Sequence, residues 1–172
     1  MPDNALFQTR FSCREFGPEP VPAPVIDALL DAARWAPSAG NVQATRFVVV
    51  TRREARERLA EAAFGQRFLA EAPVIFVVCA LPEVSARQYG ERGRELYCIQ
   101  DAAAAAENML LSATLHGLGS CWVGAFRERD VAKALGLQRG WRPVALLPVG
   151  RARRGPSQRC RLPLSTLTLR VD

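Results

Sequence analysis

The sequence predicts a mixed α+β fold, with a sheet of four strands, flanking helices and an alternating tail. Three observations predict it. Residues 46–51, 72–80, 120–126 and 143–150 are apolar or β-branched stretches of strand length, bounded by polar or turn-forming residues. The segments between them carry apolar residues at helical spacing. Neither a G-x-G-x-x-G after a strand nor a G-x-x-x-x-G-K-[ST] occurs, so the nucleotide-binding α/β folds lack their phosphate cradles.

In chain order, a short helix over about residues 5–8 precedes "TRFSCREF" and the Pro-rich connector "GPEPVPAP". The stretch "VIDALLDAARWA" places Ile26, Leu29, Leu30 and Ala33 on one helical face, and Pro37 stops it. "RFVVVT" is short and β-branched, hence a strand. The charged helix "REARERLAEAA" follows, then a helical turn over residues 66–70. "APVIFVVCA" is apolar throughout, as expected of a central strand covered on both faces. Residues 81–98 are polar and contain glycine. They merge into the longest helix, residues 96–116, which Gly117 and Gly119 stop. Its alanine run, residues 102–106, satisfies helix propensity and also lets a second helix approach closely, which suits burial between two subunits. "SCWVGAF" is expected as a third strand interrupted by Gly124. "RERDVAKALGL" is a helix ending at Gly136, and "PVALLPVG" is the fourth strand. The tail "LPLSTLTLRVD" alternates Leu167, Leu169 and Val171 with polar neighbours, a strand pattern suited to another sheet's edge.

Composition narrows the function. The 172 residues are 49% hydrophobic and 23% charged, ordinary for one soluble domain. No apolar run is long enough to cross a bilayer, and the N-terminus lacks a basic head followed by an apolar stretch. The expected location is cytoplasmic. The net charge of +6 comes almost wholly from arginine, with Lys133 the sole lysine. Basic residues are scattered except in "GRARRGPSQRCR", which suits phosphate on RNA or on a small cofactor. No RNP-like motif, zinc-finger spacing or helix-turn-helix signal favours nucleic acid. The five cysteines form no close pair, arguing against a disulfide framework or a zinc site. The single histidine, His116, sits at a helix end, where it is expected to meet the last carbonyls. With one histidine, any Ser-His-Asp triad would have to depend on it, so an organic cofactor is the expected source of reactivity.

Four stretches remain: "RFSCR" from Arg10, "APSAGNVQ" from Ala36, "ENMLLSATLHGLGSCWVG" from Glu107 and "QRCRLPL" from Gln158. In this order and spacing the chain resembles the nitroreductase family of FMN-dependent oxidoreductases. The resemblance implies a single FMN-binding domain over residues 1–172. Its implied fold is a central, mostly antiparallel four-stranded sheet flanked by helices, with the C-terminal tail strand added to a partner subunit. It further implies a homodimer with FMN at its interface, NADH or NADPH as electron donor, and a small electron-poor acceptor such as a nitroaromatic or quinone, reduced by ping-pong hydride transfer.

The same resemblance distributes roles. Arg10, Arg159 and Arg161 would clamp the FMN phosphate, because a planar, permanently charged guanidinium suits a dianion. Ser12 would hydrogen-bond nearby, and Phe11 stands where relatives often carry a basic residue. Arg14 would lie at the N1/C2 carbonyl edge of the flavin, where positive charge favours the reduced ring. From the other subunit, Pro37, Ser38 and Ala39 would pack at the dimethylbenzene end and Asn41 would make polar contacts, with Gln43 anchoring the loop. Trp122 and Val123 would shape the pocket, Trp122 alternatively being core. The backbone of Gly124 and Ala125 would face flavin N5, so the chemistry needs no side-chain acid or base and no metal. Gly124 stands where several relatives carry glutamate. Gln66 matches a polar position in many relatives, whereas Asp101 and Glu107 are expected to be structural. Residues 81–98 leave little room for the helical lid of longer members. That shortness motivates the alternative of a flavin-binding carrier or sensor without turnover.

Overall fold

The structure, a computed structural model, describes residues 4–156 and 160–171. The sheet is organised around β2 (Val74–Ala80), which is buried at every position. β1 (Thr45–Val50) pairs with it antiparallel, Thr45 opposite Ala80 and Val50 opposite Ile75. β4 (Arg142–Gly150) pairs antiparallel on the other side, and β3 (Gly119–Ser120) lies antiparallel beyond β4. The order β1-β2-β4-β3 makes the sheet four-stranded and antiparallel, as expected, with the apolar strand inside.

The uniform burial of β2 follows from layers on both faces. Side chains alternate across a strand, so Val74, Phe76, Val78 and Ala80 share one core with Leu29, Ala102, Met109 and Leu110. Ile75, Val77 and Cys79 point into a second core with Leu59, Leu69 and Val131. The first layer is α2 (Ala23–Arg34) with α6 (Cys98–Leu115), tied by Asn108 Nδ2 donating to the Ala32 carbonyl at 3.0 Å. The second is α3 (Arg53–Ala62), α4 (Phe68–Glu71) and α7 (Glu128–Leu135). α1 (Ala5–Thr9) leads into the "RFSCR" stretch. α7 ends where the sequence places its stop, at Gly136 with φ 60°. His116 Nδ1 lies 2.8 Å from the Ser112 carbonyl, at the helix end as expected.

Two expectations need correction. The third strand does not run over residues 120–126: β3 has two residues, and Val123 adds an isolated bridge to Leu146. The cause lies on the neighbouring strand. Cys121 N–H donates to the Pro148 carbonyl at 3.2 Å, and in an antiparallel strand a residue's N–H and C=O face the same neighbour. Proline has no N–H to return, so the ladder breaks there. Residues 81–98 fill the polar, glycine-containing stretch before the longest helix. They form α5 (Pro82–Arg92), opened by Pro82 and kinked at Gly90 (φ 56°), and then a π turn, Gly93–Tyr97, that runs into α6. The second correction is that the alternating tail holds one helical turn, α8 (Leu164–Leu167), closed by the Thr168 hydroxyl on the Leu164 carbonyl at 2.7 Å. An alternating segment becomes a strand only against an available edge.

Candidate functional site

The short β3 is where the N-terminal motif docks. Ser12 bridges Ser120 in parallel sense, and Cys13 N–H donates to the Ser120 carbonyl at 2.8 Å. Extended backbone alternates its side chains. Cys13 is therefore buried beside Phe16 and Ala72, while Ser12 and Arg14 face outward. Gly119 permits this docking, since a Cβ there would stand 2.8 Å from both Cys13 Cβ and Sγ. The sequence marks Gly119 as a helix stop and gives no sign of this close approach.

Arg10 is half-buried, its Nε 3.3 Å from the Glu107 carboxylate on α6. Arg14 places its guanidinium carbon 5.9 Å from the centre of the Phe68 ring, a cation–π contact. Burial pushes the Cys121 thiol up, and Arg14, the Ser12 hydroxyl and Arg10 nearby pull it back. All three motif side chains thus gather around the end of β3. Phe11 instead packs toward the Cys13–Phe16 core, so it faces away from this surface.

Residues 122–125 continue the same surface. Val123 is buried, its N–H and C=O both bonded to Leu146, at 2.9 and 3.0 Å. Trp122, Gly124 and Ala125 are exposed. Gln66 Nε2 donates to the Ala125 carbonyl at 3.0 Å and the Ala63 carbonyl at 2.9 Å. Its amide therefore fastens the 122–125 segment to the end of α3. A Cβ at Gly124 would meet only Trp122 Nε1, at 3.8 Å, so the chain's own packing does not require glycine there.

The "APSAGNVQ" loop sits against α5 and α6. Ser38 is extended, Ala39–Asn41 makes one tight turn, and Gly40, Asn41 and Gln43 all have φ between 53° and 56°. Asparagine tolerates that backbone region, whereas for glutamine it is strained. The Ser38 hydroxyl accepts from Gln43 N–H at 3.0 Å, closing the loop on itself, so Gln43 anchors it through its backbone. Asp101 Oδ1 accepts from Ala39 N–H at 3.0 Å. Asp101 is only 7% exposed. Burial raises its pKa, and the Ala39 hydrogen bond lowers it. Pro37 and Asn41 remain exposed. The loop borders a cavity of about 620 Å³ between α2, β1 and α6, lined by Pro37, Ser38 and Asp101 among others. The role of Asp101 escapes sequence reading, because an aspartate before an alanine run looks like an ordinary first-turn acid.

Of the C-terminal pair, Arg161 is exposed and donates to the Cys160 carbonyl at 3.0 Å; Arg159 lies outside the described residues. Among the described residues no cluster of His, Cys, Asp or Glu could hold a metal ion.

An antiparallel sheet between helical layers, with an Arg-x-Ser-x-Arg edge docked on its last strand, defines the class: an α+β scaffold with its candidate site at the end of β3. The chain belongs to the nitroreductase family, whose model matches residues 7–67 and 62–151. It is 39% identical over 131 residues to a candidate NADH dehydrogenase/NAD(P)H nitroreductase of Archaeoglobus fulgidus, covering 76% of this chain and 71% of that protein. It is also similar to the crystal structure of a protein described in the same terms from Parabacteroides distasonis, with a TM-score of 0.84 at 28% identity, covering 97% of this chain and 98% of that one. A nitroreductase family protein from Streptococcus pneumoniae gives a TM-score of 0.88 at 25% identity, covering 97% and 98%. No helix among the described residues is long and apolar enough to cross a membrane.

Proposed function

We propose that two copies of this chain form an FMN-dependent oxidoreductase that takes hydride from NADH or NADPH and passes it to an electron-poor small molecule, a nitroaromatic or quinone. The carrying observation is the gathering of Arg10, Ser12 and Arg14 beside the outward-facing backbone of residues 122–125. This donor set fits FMN. Guanidinium and hydroxyl groups suit its phosphate and carbonyl edge, and the unfilled space over Gly124 suits a flat ring. Bound there, FMN would supply two-electron redox chemistry of its own. The residues would bind and orient. Arg10 and Arg161 hold the phosphate, Ser12 adds a hydrogen bond, and Arg14 places positive charge at the carbonyl edge. The Gly124–Ala125 backbone, fastened by Gln66, offers N–H groups without a titrating side chain. Pro37, Ser38 and Asn41 of the second copy cover the ring and exclude water.

The alternative, a flavin-binding carrier or sensor without turnover, is motivated by the little room that residues 81–98, which form α5 and the π turn, leave for a longer lid. The test is an absorbance spectrum of the purified protein, followed by anaerobic addition of NADH or NADPH and then of a quinone. The expected result is a flavin spectrum that bleaches and then returns. Protein that is colourless and takes up no FMN overturns the reading. Yellow protein that neither nucleotide bleaches favours the carrier.

A further inference from the structure

Asp101 is an expense in a helix otherwise suited to apolar burial. It sits between α6 and the "APSAGNVQ" loop, beside the buried Cys98, Ala102 and Ala105. One carboxylate oxygen accepts the Ala39 N–H, whereas Oδ2 is buried with no hydrogen-bond partner among the described residues. A buried carboxylate so incompletely satisfied opposes folding, and an apolar side chain of similar volume would serve the helix better.

The loop it touches cannot hold its own shape cheaply. Gln43 occupies the left-handed region, and a glutamine there relaxes unless its surroundings over-determine it. The restraints come from opposite sides. Within the loop, Ser38 Oγ takes the Gln43 N–H. On the outer side, Gly40 lies against the ends of the Tyr89 and Gln88 side chains of α5. On the inner side stands Asp101, the link from the loop to the long helix.

We propose that Asp101 is a positioning residue. By holding Ala39 N–H it sets the direction of Ser38 and Asn41, and so the face that the loop presents to a ligand bound by the partner chain. This rests on the reading of the loop as the cover of the flavin ring. Asp101 itself touches no ligand. Its side chain acts only as an acceptor in this role, so the neutral amide of asparagine replaces it while leucine does not.

The test compares Asp101→Leu and Asp101→Asn with the wild type in two readouts. The first is amide hydrogen exchange of residues 38–43 in flavin-free protein. The second is FMN affinity with the bound flavin's fluorescence, read beside the melting temperature. In Asp101→Leu, exchange at Ala39 and its neighbours rises and FMN binds at least about tenfold more weakly, as for the loss of a hydrogen bond to a charged acceptor. The melting temperature does not fall. Asp101→Asn returns both readouts to within about threefold of wild type, since its Oδ1 accepts the same N–H. Unchanged exchange in Asp101→Leu overturns the proposal, as does failure of Asp101→Asn to restore it. A wild type that takes up no FMN overturns the flavin reading instead, and the exchange measurement still decides the role of Asp101.

Discussion

Glu107 holds Arg10 at the edge of the candidate site, so one guanidinium is already oriented beside Ser12 before any ligand arrives. A charge-assisted contact from arginine to phosphate contributes about 1.5–3 kcal/mol. Arg10→Ala is therefore expected to weaken FMN binding about 10- to 150-fold, measured by quenching of flavin fluorescence. Equal affinity would remove Arg10 from the phosphate clamp. Asp101 carries a prediction of a different kind. Burial raises its pKa in the fold above the ordinary 3.8. A carboxyl shifted in that direction contributes stability that is fully present below the unfolded value and lost as pH rises through the folded one. Asp101→Asn does not titrate. Its stability relative to wild type is thus greatest near neutral pH, and the gap narrows as pH falls through the raised value toward 4. Urea melts at pH 7 and pH 4 measure this, and a gap that widens on acidification contradicts it.

Among the elements, those whose cause is local were legible from sequence. α7 shows its apolar spacing and its glycine stop, and β2 shows an unbroken apolar run that only a doubly covered strand can carry. β3 was not legible, because its length is decided by Pro148 on another strand. α5 was hidden by its charge and by Gly90, whose left-handed backbone kinks the helix without ending the helical path. The site divides in the same way. The "RFSCR" and "SCWVGAF" stretches stand out by residue type, but the Gln66 bond to Ala125 and the Asp101 bond to Ala39 depend on tertiary placement. Gly119 makes this testable, because β3 and the "RFSCR" stretch meet only where no Cβ intervenes. Gly119→Ala is expected to cost about 1–3 kcal/mol of stability through overpacking against Cys13. It should also weaken FMN binding by displacing Ser12. A variant with wild-type melting and affinity would show that the close approach is unimportant.

For the whole molecule, the tail is the outstanding feature. Leu162, Leu164, Leu167, Leu169 and Val171 are 61–90% exposed in the single chain. Apolar exposure of this extent is what the second copy of the proposed dimer would cover. The triple substitution of Leu167, Leu169 and Val171 by serine is expected to raise the dimer dissociation constant by at least about tenfold, from lost apolar burial. Analytical ultracentrifugation reads this directly, and flavin retention should fall with it. A dimer indifferent to the change would mean that the interface lies elsewhere.

The placement of β2 between β1 and β4 also bears on how the chain is made. During synthesis β2 leaves the ribosome well before its second neighbour, Arg142–Gly150. Until then one edge of the most apolar strand has no lasting mate. Contacts so distant along the chain close slowly and invite aggregation. Nascent chains stalled before Arg142 should bind holdase chaperones strongly and release them once β4 is free to dock.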